Sequence, residues 1–298
     1  MCEYDRFCEY IAKWVEWFDS DNSRCIVVQV QHLLFDTFVF KSLEKAYELS
    51  ETELIGGKEI KMQNQMLHWF IDKNYVKSVH MDIRRLVDRR ADVVSLTSIL
   101  DDMKGEYSLL TRKNYAKKLD CFEGLSVHEA KYLDEISSIA TEYEPGEEIS
   151  LQKASPFVTK YNKSERFHTR FDSLCGKTSQ SRDLGDVISS EVFKKLTDDL
   201  ERCKDLIKGP ANKIFMHNDK KKFHADFFIN YSDIFEANKK LSDVVKYIAL
   251  NLLGDYSISM LPSPPTNWHK YFDRPILNKK HFSEIRELWQ SYSKELNY

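Results

Sequence analysis

The chain has 298 residues, 42% of them hydrophobic and 13% aromatic, enough apolar mass for one large core or two small ones. A formal charge of −3 gives no global field to gather nucleic acid, so any anion site must be a local patch. Only 9 glycines and 7 prolines argue against a many-turned β architecture, and the six cysteines (Cys2, Cys8, Cys25, Cys121, Cys175, Cys203) share no short paired spacing, which argues against a zinc site or a disulfide framework.

The first residues carry neither a basic region nor a following apolar block, so no signal peptide is expected. Tyr4 to Phe18 is aromatic-rich and predicted helical. Arg24 to Leu49 reads as a long helix, because Ile26, Val27, Val30, Leu33, Leu34, Phe38 and Leu43 recur every three or four positions. Its apolar surface is wide enough for a central helix, or for a core face plus a dimer interface. Gln29, Gln31, His32 and Asp36 interrupt the apolar stretch near Cys25 to Phe40, so no membrane span is expected. Gly56-Gly57 breaks the chain. Ile60 to Arg90 is predicted as a second long helix with Met66, Phe70, Val76, Val79, Ile83 and Val87 inward. Ser95 to Met103 reads as a short helix with Ser95 as N-cap and Gly105 just past its end.

From Glu106 to Asp183 the periodic signal weakens. Ser126 to Tyr143 is predicted helical, with Ser126 and Glu129 in capping-box spacing, and Glu144-Pro145-Gly146 ends it. Ser150 to Ser181 is polar and mixed, and reads as a mobile insertion. Helical periodicity returns over Asp186 to Lys208, continues after a Gly-Pro break over Pro210 to Phe223, and is clean over Ser232 to Leu253. Leu261 to Pro265 is a proline-rich linker, and Asn278 to Leu296 a last helix. The expected fold is a single all-α domain over 1–298. Its bundle core covers about 24–105 and 183–255, with 106–182 inserted and 266–298 a C-terminal helical extension.

The chemistry-bearing residues concentrate in Pro210 to Asp226, which holds His217, His224 and four lysines, Lys213, Lys220, Lys221 and Lys222. Lys213 and Lys221 lie four residues either side of His217, on one helix face. Flanking lysines depress a histidine pKa and create an anion site, and histidine titrates near neutrality. The same lysines disfavour a metal, and a solvated lysine face is the plainer reading. No cofactor is expected. Arg84 is the nearest arginine in character to a phosphate-binding partner. With Ile83 centred on the buried stripe of its helix, Arg84 lies about 100° round the wheel and Arg85 about 200°. His80, Arg84 and Asp88 form an i, i+4, i+8 row, whose plain reading is an Arg84–Asp88 pair.

Two segments resemble the HEPN superfamily in its abortive-infection U-type branch. Val79-His-Met-Asp-Ile-Arg-Arg-Leu-Val-Asp88 leading to Ser95-Leu-Thr-Ser-Ile-Leu100 looks like that branch's Arg-Arg-Leu-x-Asp helix end followed by a Ser-Leu helix start. Asn212-Lys-Ile-Phe-Met-His-Asn-Asp219 looks like its Asn-Lys-x-x-Ala-His-x-Asp segment. The resemblance implies an all-α, HEPN-like helical bundle, often dimeric, and in active relatives a metal-independent ribonuclease of bacterial defence. It places His217 and Asn212, with Arg84 supplying charge, as catalytic residues, and Lys213, Asp219, Lys221, Arg85 and Asp88 as binding residues. In the superfamily an Arg precedes the His with four to six residues between them, whereas Pro210, Ala211 and Asn212 occupy those positions here. Two function classes therefore stand: an RNA-cleaving enzyme, or a non-catalytic module binding RNA, a nucleotide or a protein partner. A homodimer, a cytoplasmic location and no membrane partner complete the expectation.

Overall fold

The computed structural model describes residues 1–20, 22–49, 52–55, 58–61, 65–90, 92–121, 156–210, 230–254, 258 and 260. The helices expected over Ser126–Tyr143, Pro210–Phe223 and Asn278–Leu296, and the linker at Leu261–Pro265, fall outside these residues, apart from Pro210 itself. The described chain is mostly helical, as expected: α1 (Glu3–Phe18), α2 (Ile26–Leu49), α3 (Gln65–Leu86), α4 (Leu96–Gly105), α5 (Arg112–Leu119), α6 (Pro156–Cys175), α7 (Ser190–Pro210) and α8 (Tyr231–Tyr247).

Four of these form the bundle. α2 packs on α3 and α8, α3 on α7 and α8, and α7 on α8. Each offers a stripe at helical spacing: Ile26, Val30 and Leu33 from α2; Val76, Val79 and Ile83 from α3; Phe193, Leu196 and Leu200 from α7; Leu241, Val244 and Val245 from α8, all buried. A buried side chain of this size contributes roughly 1.5–3 kcal/mol. α7 and α8 run antiparallel, because Asp199 pairs with Lys240, Arg202 with Glu236, and the Cys203 thiol donates to the Ala237 carbonyl. A buried polar node fixes the register of three helices. The Thr37 hydroxyl of α2 accepts from the Tyr75 hydroxyl of α3 at 3.1 Å and from Asn238 Nδ2 of α8 at 2.8 Å, and donates to the Leu33 carbonyl.

A second layer covers one side. α1 lies on α2 and α5, and Trp14 Nε1 and Lys13 Nζ both reach the Asp102 carboxylate of α4, at 2.6 and 2.8 Å. α4 packs on α7, and α5 on α6. α8 ends in a single π turn over Ile248–Leu252, where the Leu253 N–H reaches back to the Ile248 carbonyl.

Three expectations need correction. Phe70, expected inward, is exposed on the flank of α3 that the bundle leaves open. The helix drawn from Ile60 begins at Gln65, because Thr52–Ile55 (β1) and Lys58–Lys61 (β2) pair as an antiparallel hairpin with Thr52 opposite Lys61. Two short alternating runs either side of Gly56-Gly57 are a hairpin signal, which the long helical pattern downstream overrode. The polar stretch around Ser150–Ser181 is no mere insertion: Pro156–Cys175 is a 20-residue helix whose Phe167, Phe171 and Leu174 join the common core. Its hydrophobic periodicity was weak because Ser164, His168 and Asp172, at i, i+4 and i+8, occupy half of its buried face.

Candidate functional site

Among the residues expected to act, Arg84, Arg85 and Asp88 are described. Asn212, Lys213, His217, Asp219 and Lys221 lie outside the described residues, as do Lys220, Lys222 and His224. Arg84 and Arg85 are exposed on the last turn of α3. Arg85 approaches Asp82 at 3.8 Å, a solvated contact of little energetic weight.

The row His80–Arg84–Asp88 does not operate as a chain. His80 is buried, and its Nδ1–H donates to the Val76 carbonyl at 2.7 Å. Burial pulls its pKa down, so it is neutral, and the carbonyl bond recovers only part of the shift. Asp88 takes Arg90, not Arg84: the Arg90 guanidinium and backbone N–H both reach its carboxylate at 3.0 Å. Partial burial pushes the Asp88 carboxyl up, but these bonds and the Arg89 N–H outweigh it and hold it below the ordinary value.

Residues 86–90 and 92–97 join α3 to α4 at a corner. Ser95 caps α4 by accepting from the Ser98 N–H at 3.0 Å, and its hydroxyl donates to the Asp88 carbonyl. Thr97 Oγ1 donates to the Val87 carbonyl, and Leu86, Val87 and Leu96 are buried. Within this motif the leucines, Asp88 and Ser95 therefore build the joint, while the two arginines are left facing solvent.

The ends of α7 and α8 bracket residues 211–229. On the α8 side Asn230 caps the helix through its Oδ1, and the Tyr231 hydroxyl donates to Asp72 of α3. Glu44 Oε1 of α2 lies 2.6 Å from His68 Nε2, and Tyr47 stacks on the His68 ring. Burial first, and then Glu44, raise the Asp72 carboxyl. This end of the bundle is about 18 Å along α3 from Arg84, twelve residues at 1.5 Å each.

Among the described residues the densest ionisable cluster was not anticipated. Arg112, at the start of α5, is 0% exposed. Its Nε and Nη2 bind Asp186 Oδ2 at 3.2 and 2.9 Å, Nη2 binds Asp172 Oδ1 at 2.8 Å, and Nη1 faces the His168 carbonyl and Nδ1. Arg182 continues the network to Asp172 at 2.9 Å and grips Glu165 with two 2.9 Å bonds. His168 Nε2 faces the Cys121 carbonyl at 3.1 Å and must donate there, so Nδ1 is the acceptor for Arg112. Burial, then the charges of Arg112 and Arg182, push the His168 pKa down to about 4, so the ring is neutral. Burial also raises the Cys175 thiol, which sits 3.5 Å from Arg112 Nη2 and stays protonated. Every guanidinium nitrogen of Arg112 is engaged, leaving none for a substrate. The cluster joins α5, α6 and the 182–186 loop, and its role is architectural. The i, i+4 spacing of His168 and Asp172 in a segment with weak apolar periodicity was its one sequence signal.

Among the described residues no group of three or more His, Cys, Asp or Glu is placed to hold a metal ion. By length and composition α2 is apolar enough over Ile26–Glu48 to cross a membrane, a test that bundle-core helices also pass. Comparison with family models, with curated proteins and with solved structures finds no match for this chain.

Proposed function

We propose that this protein is a HEPN-like, RNA-directed protein of a bacterial defence or stress response, cytoplasmic, without a cofactor. His217 is the acid or base, Asn212, Lys213, Asp219 and Lys221 stand beside it, and Arg84 supplies charge for the phosphate. Metal-independent cleavage needs a base for the 2′-hydroxyl, an acid for the leaving oxygen and a cation for the developing charge. The observation that carries the reading is the α3–α4 corner. The Arg-Arg-Leu-x-Asp and Ser-Leu pattern behind the resemblance is used there as one joint, with its arginines kept at the surface of a four-helix bundle. The bracketing of 211–229 by two bundle helices is consistent with it.

A second reading, a non-catalytic module that binds RNA, a nucleotide or a protein partner through the same elements, is favoured by two facts. Pro210, Ala211 and Asn212 stand where the family's arginine would lie, and Arg84 sits about 18 Å along α3 from the Asp72–Tyr231 contact. Expression of wild type and His217→Ala separates the two. Toxicity with loss of bulk RNA that vanishes in the variant supports the enzyme. Purified wild type that leaves RNA intact, with both proteins harmless, removes the nuclease and leaves the binding module. The half-buried Leu34, Phe35 and Phe38 of α2 suit a homodimer face. Light scattering giving a monomer at micromolar concentration would count against that part.

A further inference from the structure

Among the described residues six large hydrophobic side chains are exposed, and three of them, Trp69 (59%), Phe70 (58%) and Met81 (52%), lie on α3. The same helix carries four exposed cations, Lys73, Lys77, Arg84 and Arg85. With Ile83 centred on the buried stripe, Phe70, Lys73, Lys77, Met81 and Arg84 fall between about 80° and 160° on the helical wheel, and Arg85 borders them at about 200°. Trp69 joins this flank by stacking under the Lys73 ammonium, 5.0 Å from the ring centroid. The carboxylates lie on the opposite flank, toward α2. Asp82 faces Asp36 there, and Asp72 faces Glu44, and in each case burial followed by the neighbouring carboxylate raises a pKa. Signs on this helix are thus segregated.

Apart from Lys73, which sits over the Trp69 ring, the cations are uncommitted. Lys77 and Arg84 have no hydrogen-bond or ion-pair partner among the described residues, and Arg85 has only its 3.8 Å contact with Asp82. On α7, the helix beyond this flank, Glu201 is taken by Arg89 at 2.9 Å and Lys204 at 3.4 Å. Two exposed aromatic rings at one end of a row of exposed cations match one kind of polymer, a chain that carries phosphates and also presents unstacked π faces. A duplex would present its phosphates but hide its base faces, leaving Trp69 and Phe70 unused. An acidic peptide would satisfy the lysines but give the aromatic faces no systematic partner.

We infer that the exposed flank of α3, from Trp69 and Phe70 through Lys73 and Lys77 to Arg84, with Arg85 at its border, binds single-stranded RNA, with bases stacked on the two rings and phosphates on the four cations. The inference rests on the RNA-directed reading above and gives it a substrate form and a surface. The flank runs about 22 Å along the helix, fifteen residues at 1.5 Å each.

The test is fluorescence anisotropy with a labelled single strand of about 12 nucleotides and the same sequence as a duplex, between about 50 and 200 mM salt. Four phosphate contacts at about −0.7 each give a slope of log K against log salt near −3. Lys73→Glu/Lys77→Glu reduces that slope by about 1.4 and weakens binding. Trp69→Ala/Phe70→Ala weakens single-strand binding on the order of ten-fold per lost stack and leaves duplex binding unchanged. All four side chains are exposed, and far-ultraviolet circular dichroism verifies that both variants keep the fold. If wild type binds the single strand and both variants bind it equally well, the surface is wrong and the RNA reading stands. If wild type binds no RNA, the RNA reading itself falls and this inference with it. Equal affinity for strand and duplex overturns the stacking role. Dimerisation lost in Trp69→Ala/Phe70→Ala without RNA would make the flank a self-association face and overturn the proposal.

Discussion

Two arginine-centred regions of this molecule have opposite economies. Arg112 is sealed from solvent, with every guanidinium nitrogen bound by Asp172, Asp186 or His168. Arg84 and Arg85 stand exposed at the end of α3, the first with no described partner and the second with one loose contact. A buried guanidinium is tolerated only when its donors are satisfied, and once satisfied it cannot serve a ligand. An exposed one adds little to stability and remains available to a phosphate. The difference separates what holds the fold from what can act.

The largest effect sharpens the buried side. Arg112→Met leaves Asp186 as an uncompensated buried charge and Asp172 with Arg182 as its one remaining cation, and urea unfolding should show a loss of about 3–5 kcal/mol. A loss under about 1 kcal/mol would mean that water already reaches the cluster.

Next in size is a pH effect. The folded His168 pKa, about 4, lies below the unfolded value of 6.5, so between these limits the unfolded chain binds more protons. Stability from this group is therefore present above about pH 6.5 and lost as pH falls toward 4, on the order of 3 kcal/mol in all. Unfolding free energies measured across that window should fall with acidity in wild type and less steeply in His168→Gln. Parallel slopes would break the assignment of a neutral buried ring.

Smaller again is the corner between α3 and α4. Ser95→Ala removes the cap on the Ser98 N–H and the bond to the Asp88 carbonyl, and should cost about 1 kcal/mol. Thermal unfolding reads this as a shift of a few degrees, about 2–4 °C. At the exposed extreme, Arg84→Ala and Arg85→Ala should each change stability by no more than about 0.5 kcal/mol. A larger loss for either would show that these arginines belong to the structural class.

The two regions were also unequally legible. The bundle helices could be drawn from sequence because Val76, Val79 and Ile83, or Leu241, Val244 and Val245, put apolar side chains on one face at the helical period. Arg84 and Arg85 were singled out because their segment resembles a family motif, and the wheel placed Arg85 in solvent, where it lies. It placed Arg84 at the edge of the core, and that residue is exposed, because the flank of α3 beside it is left open. The Arg112 cluster was missed for a different reason. Pattern reading takes polar residues as surface, and Ser164, His168 and Asp172 form a polar stripe that is buried only because partners distant in sequence, Arg112 of α5, the Cys121 carbonyl just beyond it and the 182–186 loop, satisfy it. Such pairings carry no local period. The hairpin at 52–61 was missed because four-residue strands give too few alternations to compete with a 22-residue helix beside them.

The claim that the exposed arginines act while the buried one supports is tested most directly by one double variant, Arg84→Ala/Arg85→Ala, measured for urea unfolding and for single-stranded RNA affinity across salt. The account predicts an unfolding midpoint within error of wild type, weaker RNA binding, and a salt slope shallower by about 1.4, two contacts at about 0.7 each. A lowered midpoint with wild-type affinity and slope would contradict it.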